Sequence, residues 1–532
     1  MSDTKFERNA GILMPVSSLP SPYGIGTFGK DAYDFVTFVK ECNHKYWQVL
    51  PLGPTTYGDS PYQSYSAFAG NPYFVDLDML IEAGFLLKSE VISRDWGDGI
   101  VPVNVSEDDA VNGRFGTYRD GNIGDERYVS YEKIYNNRFD ILRIAYNRFK
   151  AACAESKKTL AKGLPLYKQF DNFVKDNADW LEDYALFMAL KSHFNNVSWG
   201  EWETDIKFRK PEAMSRYEEQ LSDDIGYWKF IQFEFYLQWN ALKQYANSNG
   251  IEIIGDIPIY MGYDSVDVWA NQGEFQLDEN LTPIKVAGVP PDAFSDLGQR
   301  WGNPIYDWEH MKEQNYQFWV DRIGYSNKLF DIIRIDHFRA FDTYWKIPAT
   351  CPTAIDGEWI EAPGYEVIDT LQKELPGLNL VAEDLGLLRP EVLVLKDHYH
   401  LKGMKILIFS IETGGKYARD TFHDVENMIF YTGTHDNDTI MQWYENMSTA
   451  SRRKLRRMLK KAGASQGSVK DRFLQYTMQN QAEYAIIPLA DILGLGKEGH
   501  INTPGTIGSP NWEWHLPDFV QAEKELQKLG RL

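Results

Sequence analysis

Short β-branched and apolar runs recur along this chain, and their recurrence constrains the fold more than any other feature. They are Gly11–Leu19, Tyr46–Pro51, Ile251–Asp256, Asp331–Asp336, Leu378–Glu383, Met404–Phe409, Met428–Gly433 and Ala485–Ala490. Runs of this kind suit strands covered on both faces, as in a parallel sheet. Stretches of helical period separate them, including Asp31–Glu41 with Phe35, Val36, Phe38 and Val39, Tyr365–Leu375, a helix opened by Pro390, and Ser451–Gln479. Eight strands alternating with helices or long insertions give an α/β fold, a (β/α)8 TIM barrel. The 532 residues exceed an ordinary single core, so we expect one barrel spanning 1–532 that carries large insertions. Residues 53–250 read as a loop and a mainly helical insertion between strands two and three, with helical periodicity at Glu132–Phe149, Leu166–Asn195 and Tyr217–Asn247. The charged tract Ser106–Glu126 reads as a solvated excursion, and the basic run Ser451–Lys461 as the solvated face of a helix.

Charge removes several classes of partner. The 55 basic side chains face 76 acidic ones, a net of −21, which repels nucleic acid and anionic membranes. No run approaches the roughly 18 apolar residues of a membrane span, and Met1–Arg8 holds no leader pattern, so a cytoplasmic enzyme is expected. Cys42, Cys153 and Cys351 are scattered and have no metal spacing. The glycines of Tyr23–Gly29 lie too far past the first strand for a dinucleotide fingerprint.

Chemistry concentrates where strands end. In Asp331–Phe341 the two-residue period puts Arg334 and Asp336 on one face, opposite Ile333 and Ile335. A carboxylate beside a guanidinium stays ionised, as a carboxylate nucleophile must, although the same pair could be purely structural. Three further strands finish in acids: Gly255-Asp256, Ala382-Glu383-Asp384 and Thr434-His435-Asp436-Asn437. Barrel sites lie at the carboxyl ends of strands, and burying several like charges there is costly unless the site uses them. Metal-assisted hydrolysis and glycosyl transfer both need such a carboxylate ring. Histidine clusters for a metal are missing, whereas the aromatic loop Gly53–Tyr73 and a 14% share of aromatic residues offer stacking surfaces for sugars.

Several motifs, quoted in this numbering, then carry a resemblance. They are Gly53-Pro-Thr-Thr-Tyr-Gly-Asp-Ser-Pro-Tyr-Gln-Ser-Tyr-Ser-Ala-Phe-Ala-Gly-Asn-Pro-Tyr73, Gly255-Asp-Ile-Pro-Ile259, Val289-Pro-Pro-Asp-Ala-Phe-Ser295, Gly298-Gln-Arg-Trp-Gly-Asn-Pro304, Ile333-Arg-Ile-Asp-His-Phe338, Ala382-Glu-Asp-Leu-Gly386 and Thr434-His-Asp-Asn437. Together they resemble glycoside hydrolase family 77, the amylomaltases or 4-α-glucanotransferases, over nearly the whole chain. The resemblance implies a catalytic barrel of the α-amylase clan without that clan's C-terminal β-domain. It implies retaining transfer between α-1,4-glucans and maltooligosaccharides, or onto glucose, with no cofactor or metal. An α-1,4-glucan hydrolase on the same barrel and a non-catalytic glucan-binding protein are the alternatives.

By matched motif, Asp336 would be the nucleophile, Glu383 the general acid/base and Asp436 the holder of sugar hydroxyls. Arg334 would keep Asp336 charged, and Asp384 with apolar Val381 and Ala382 would raise the pKa of Glu383. Substrate contacts would come from Ser60, Tyr62, Asp256, His435 and Asn502. The 281–310 region would form a lid whose Asp292, Ser295, Gln299 and Trp301 face the glucan. Ala293 stands where the family often carries Tyr.

Overall fold

The computed structural model describes residues 9–97, 125–157, 165–291, 295–386, 388–411, 427–480 and 482–529, with the backbone of 100–102, 117–119, 412 and 419–420. Asp292, Ala293 and, in the charged tract, 106–116 and 120–124 lie outside them. All eight expected strands form: β1 (Asn9–Leu13), β2 (Tyr46–Gln48), β3 (Glu252–Ile257), β4 (Ile332–Ile335), β5 (Leu380–Ala382), β6 (Gly403–Ile406), β7 (Met428–Tyr431) and β8 (Tyr484–Pro488). They pair in parallel in the order β5-β4-β3-β2-β1-β8-β7-β6. A single bridge, Val381 to Lys402, joins β5 to β6 and closes the ring, with Ala382 N donating to Lys402 O at 2.8 Å. The chain is a TIM barrel.

Burial explains the strand sequences. All four residues of β4 are buried, as are all three of β2 and of β5, so alternation is lost and the apolar run remains. β6 stops at Ile406, short of the expected Phe409. Residues Leu407–Ser410 form a helical turn, with the Ser410 hydroxyl donating to Ile406 O at 2.7 Å.

Helices fill the chain between β2 and β3, and Ser222–Ser248, with 27 residues, leads back into β3. Two of the expected helices are interrupted. Asn177 ends Leu166–Asp176 and precedes Ala178–His193, its side chain turned back to Phe173 O at 2.8 Å. Leu221, with non-helical φ −105°, separates Pro211–Gln220 from Ser222. The long helix also grips the aromatic loop. Gln232 takes Gly70 N at 2.7 Å and gives to Gly70 O at 2.9 Å, and Gln238 takes Asp76 N at 2.7 Å. These buried amides fix the far end of the loop that carries Tyr62.

The 281–310 region is no simple loop. Lys285–Val289 and Gln299–Pro304 pair antiparallel in a second, four-stranded sheet with Thr343–Pro348 and Glu358–Glu361. Its glycines and prolines mimic loop composition because the hairpin carries an irregularity between Val286 and Gly288 and places Gln299–Pro304 at the sheet edge, where proline is tolerated.

Close packing behind β3 gives a test. A Cβ on Gly255 would lie 2.1 Å from the ring of buried Phe330. Gly255→Ala should lower unfolding free energy by about 1–3 kcal/mol in urea titration, and an unchanged midpoint would contradict this packing.

Candidate active site

Register brings the first charges together. Asp256 on β3 stands opposite Arg334 on β4, and both side chains enter the buried interior. Arg334 Nη1 donates to both Asp256 oxygens at 2.7 Å, its Nη2 lies 3.0 Å from Asp336 Oδ1, and its Nε approaches Met404 Sδ at 3.3 Å. One guanidinium therefore serves two carboxylates. Burial opposes the charge on Arg334, but Asp256 and Asp336 outweigh it and hold the group charged. Burial likewise pushes the Asp256 carboxyl up, with Arg334 pulling against the rise. Asp336 keeps 30% of its side chain exposed, whereas Asp256, the closer of the two to Arg334, is fully buried.

Glu383 follows β5 directly, and its backbone prolongs the sheet through Glu383 N to Ile335 O at 3.1 Å. Its carboxyl is held by two backbone donors, His337 N at 2.8 Å and Leu385 N at 2.9 Å. His337 can point its N–H there because it adopts the left-handed conformation, φ 50°, immediately after the nucleophile candidate. Burial first and the Asp336 charge second push Glu383 up to about 7. Asp384 adds only a minor push, since it turns away to Lys396 and Met404 N. The expectation of a raised Glu383 thus holds: of the two causes expected, the apolar surroundings dominate and Asp384 adds least, while Asp336 is the charge that matters more.

Asp436 lies in the loop after β7. Asn502 Nδ2 donates to its Oδ1 at 2.6 Å, and His435 Nε2 lies 3.2 Å from Oδ2. Burial works to raise this carboxyl, yet His435 and Asn502 prevail and hold it below the usual range. The His435 ring stacks on Tyr62, with centroids 5.1 Å apart and planes at 22°. Tyr62, whose phenol burial keeps protonated, donates to Asp256 Oδ2 at 2.8 Å.

The structure therefore joins Tyr62, Asp256, Arg334, Asp336, Glu383, His435, Asp436 and Asn502 into one network. Trp301 reaches it through an edge-on contact with His337, centroids 5.0 Å apart, while its Nε1 donates to Gln299 Oε1 at 3.2 Å. Ser60 and Ser295 are spent locally: Ser60 Oγ accepts from Tyr62 N at 3.3 Å and Ser295 Oγ donates to Gly298 O at 2.8 Å. Asp292 lies outside the described residues. Two contributors escaped the sequence reading. Trp512, beside His435 at 5.8 Å and Tyr62 at 5.9 Å, has no local signal beyond being aromatic. The His337 backbone role was visible only as adjacency to Asp336. Among the described residues no group of three or more His, Cys, Asp or Glu could hold a metal.

Comparison with known proteins places this mouth in a family. The 4-alpha-glucanotransferase family model matches residues 14–521. A 4-alpha-glucanotransferase of Clostridium butyricum is 42% identical over 98% of this chain and 98% of its own, and that of Thermus thermophilus is 39% identical over 96% and 95%. An amylomaltase of Streptococcus agalactiae, solved with acarbose, superposes with a TM-score of 0.85 at 36% identity over 98% of both chains. An amylomaltase of Corynebacterium glutamicum, at 16% identity and TM-score 0.75 over 98% of this chain and 75% of its own, shares the fold. The chain belongs to the 4-α-glucanotransferases of glycoside hydrolase family 77, enzymes that move glucanyl segments between α-1,4-glucans.

The raised Glu383 carboxyl has a measurable consequence. Between the ordinary carboxyl pKa and about 7 the native state holds a proton that the unfolded chain has lost, so stability falls as pH rises through that window. Glu383→Gln carries no such cost. Its melting temperature relative to the parent should therefore rise from pH 5 to pH 8, and a difference independent of pH would contradict the assignment.

Proposed function

We propose that the transfer runs by retaining double displacement, with Asp336 as nucleophile and Glu383 as general acid and then general base. The observation that carries this reading is the different setting of two neighbouring carboxyls: Glu383 is buried and pushed up to about 7, whereas Asp336 lies 3.0 Å from the Arg334 guanidinium and keeps 30% of its side chain exposed. A retaining mechanism needs one ionised and one protonated carboxyl, roughly 5–5.5 Å apart across the glycosidic bond. In the first step Glu383 protonates the leaving 4-oxygen as an Asp336 oxygen attacks the anomeric carbon. In the second, Glu383 takes the proton of an incoming 4-hydroxyl, which displaces Asp336.

The neighbours supply binding. Asp436, anionic and held by Asn502 and His435, suits a pair of sugar hydroxyls whose hydrogen bonds strengthen as the ring flattens. Tyr62, stacked on His435, offers the sugar an aromatic surface next to Asp256. The hairpin carrying Gln299 and Trp301, with Ser295 between its strands, covers the mouth so that a second glucan rather than water meets the glycosyl-enzyme, and Asp292 of the same segment is assigned to glucan contact by its motif alone. Ser60 supports this surface from the opposite loop. Maltooligosaccharides are the substrates of this reading. Three free thiols, Cys42, Cys153 and Cys351, support a reducing cytoplasmic compartment.

Incubation with maltotriose tests the proposal: longer maltooligosaccharides and glucose should appear without a matching rise in reducing ends. Glu383→Gln should lower kcat by about 10²–10⁴-fold while glucan binding persists by calorimetry, and retained turnover would remove Glu383 from the role. kcat/KM should fall as pH rises through about 7, where the free enzyme loses the Glu383 proton. Trp301→Ala should raise the hydrolysed share of product, read as new reducing ends per transfer; an unchanged ratio would contradict the covering role.

A further inference from the structure

The β5–β6 seam is the thinnest join in the barrel, and it lies directly behind Glu383. Backbone pairing there reduces to the bridge between Val381 and Lys402. A continuing parallel ladder would send Met404 N to the carbonyl of Ala382. Instead Met404 N donates to Asp384 Oδ1 at 2.7 Å, so a side chain replaces the missing rung. The other oxygen, Oδ2, accepts from Lys396 Nζ at 2.9 Å, and the two side chains are only 2% and 3% exposed. Lys396 comes from the helix Pro390–His398, packed outside the barrel. Space for the carboxylate is made by Gly403, where a Cβ would lie 2.3 Å from Asp384 Oδ2.

Two charged groups are rarely buried this deeply for stability alone, because desolvation offsets most of their attraction. Their location points to positional work. Asp384 is the residue after Glu383, and Met404, which it grips, carries the sulfur that Arg334 Nε meets at 3.3 Å. The carboxylate therefore ties the backbone of Glu383 to the strand that also contacts the guanidinium serving Asp336.

We propose that the buried Asp384–Lys396 pair is a positioning device for the glucanotransferase reaction, setting where the Glu383 carboxyl stands relative to Asp336. It touches no substrate and acts through the backbone. The inference rests on Glu383 being the acid/base. Misplacing a catalytic group by about 1 Å costs on the order of 10²-fold in rate.

The test compares Asp384→Asn, Lys396→Gln and the double variant on maltotriose. Asp384→Asn turns an amide N–H toward the lysine or toward Met404 N, and Lys396→Gln leaves the carboxylate without its cation. Each should lower kcat about 10- to 100-fold with KM within about twofold and with a displaced alkaline limb in the pH profile. The double variant restores a donor–acceptor match, amide to amide, and should recover kcat to within about fivefold of the parent. Single variants whose kcat per folded molecule stays within twofold would overturn the inference. So would a folded double variant as slow as the singles, and that comparison with the parent decides alone if a single variant does not fold. Glu383→Gln distinguishes the levels of failure: if it retains turnover the acid/base reading itself falls, whereas if it is inactive and Asp384→Asn is not impaired, only the positioning role falls.

Discussion

The guanidinium of Arg334 sits between Asp256 and Asp336 at the carboxyl ends of two adjacent strands, and most of the site is arranged around that contact. Removing one partner of a buried ion pair costs about 3–5 kcal/mol, since the other charge is then stranded. Asp256 is the structural partner: inaccessible, bidentate and tied to Tyr62. Asp336 shares the same cation through its second nitrogen but keeps 30% of its side chain exposed. The Asp336 charge in turn contributes to raising Glu383, after burial. One cation thus stands among three acids, the fully buried Asp256, the partly open Asp336 and Glu383, whose carboxyl is pushed up to about 7.

The barrel supplies this arrangement through register. Asp256 opposite Arg334 brings a charge from 78 residues away to one level, and Val381 opposite Arg334 on the other side sets Glu383, which follows β5, at the same rim. Elements outside the barrel adjust what lies above. The glutamines of Ser222–Ser248 anchor the aromatic loop, and the second sheet presents Trp301 to His337, whose backbone holds Glu383. Trp301 and the Glu383 carboxyl are therefore two contacts apart.

Much of this could be read from residues alone, for identifiable reasons. Ile332, Ile333 and Ile335 around Arg334 announce a strand buried on both faces, and the two-residue period places Arg334 and Asp336 together without knowledge of the fold. Acids after three other runs mark the same rim. What could not be read depends on long-range pairing. The bidentate partner of Arg334 is Asp256 from another strand, and nothing local distinguishes that from a pair with Asp336 alone. Asp384 looked like a like-charged neighbour of Glu383, because only the fold reveals Lys396 beneath it. The hairpin Lys285–Pro304 read as a loop because edge position and an irregular register permit the glycines and prolines that usually break strands.

In the proposed mechanism Asp336, 3.0 Å from the Arg334 guanidinium, forms the covalent glycosyl-enzyme. This step is tested most directly by treating Glu383→Gln with an α-maltotriosyl fluoride, whose leaving group needs no protonation, and locating the adduct by peptide mass spectrometry. A glucanyl ester on Asp336 is expected, absent from a variant that also carries Asp336→Asn. An adduct on Asp256 or Asp436, or one that survives Asp336→Asn, would contradict it.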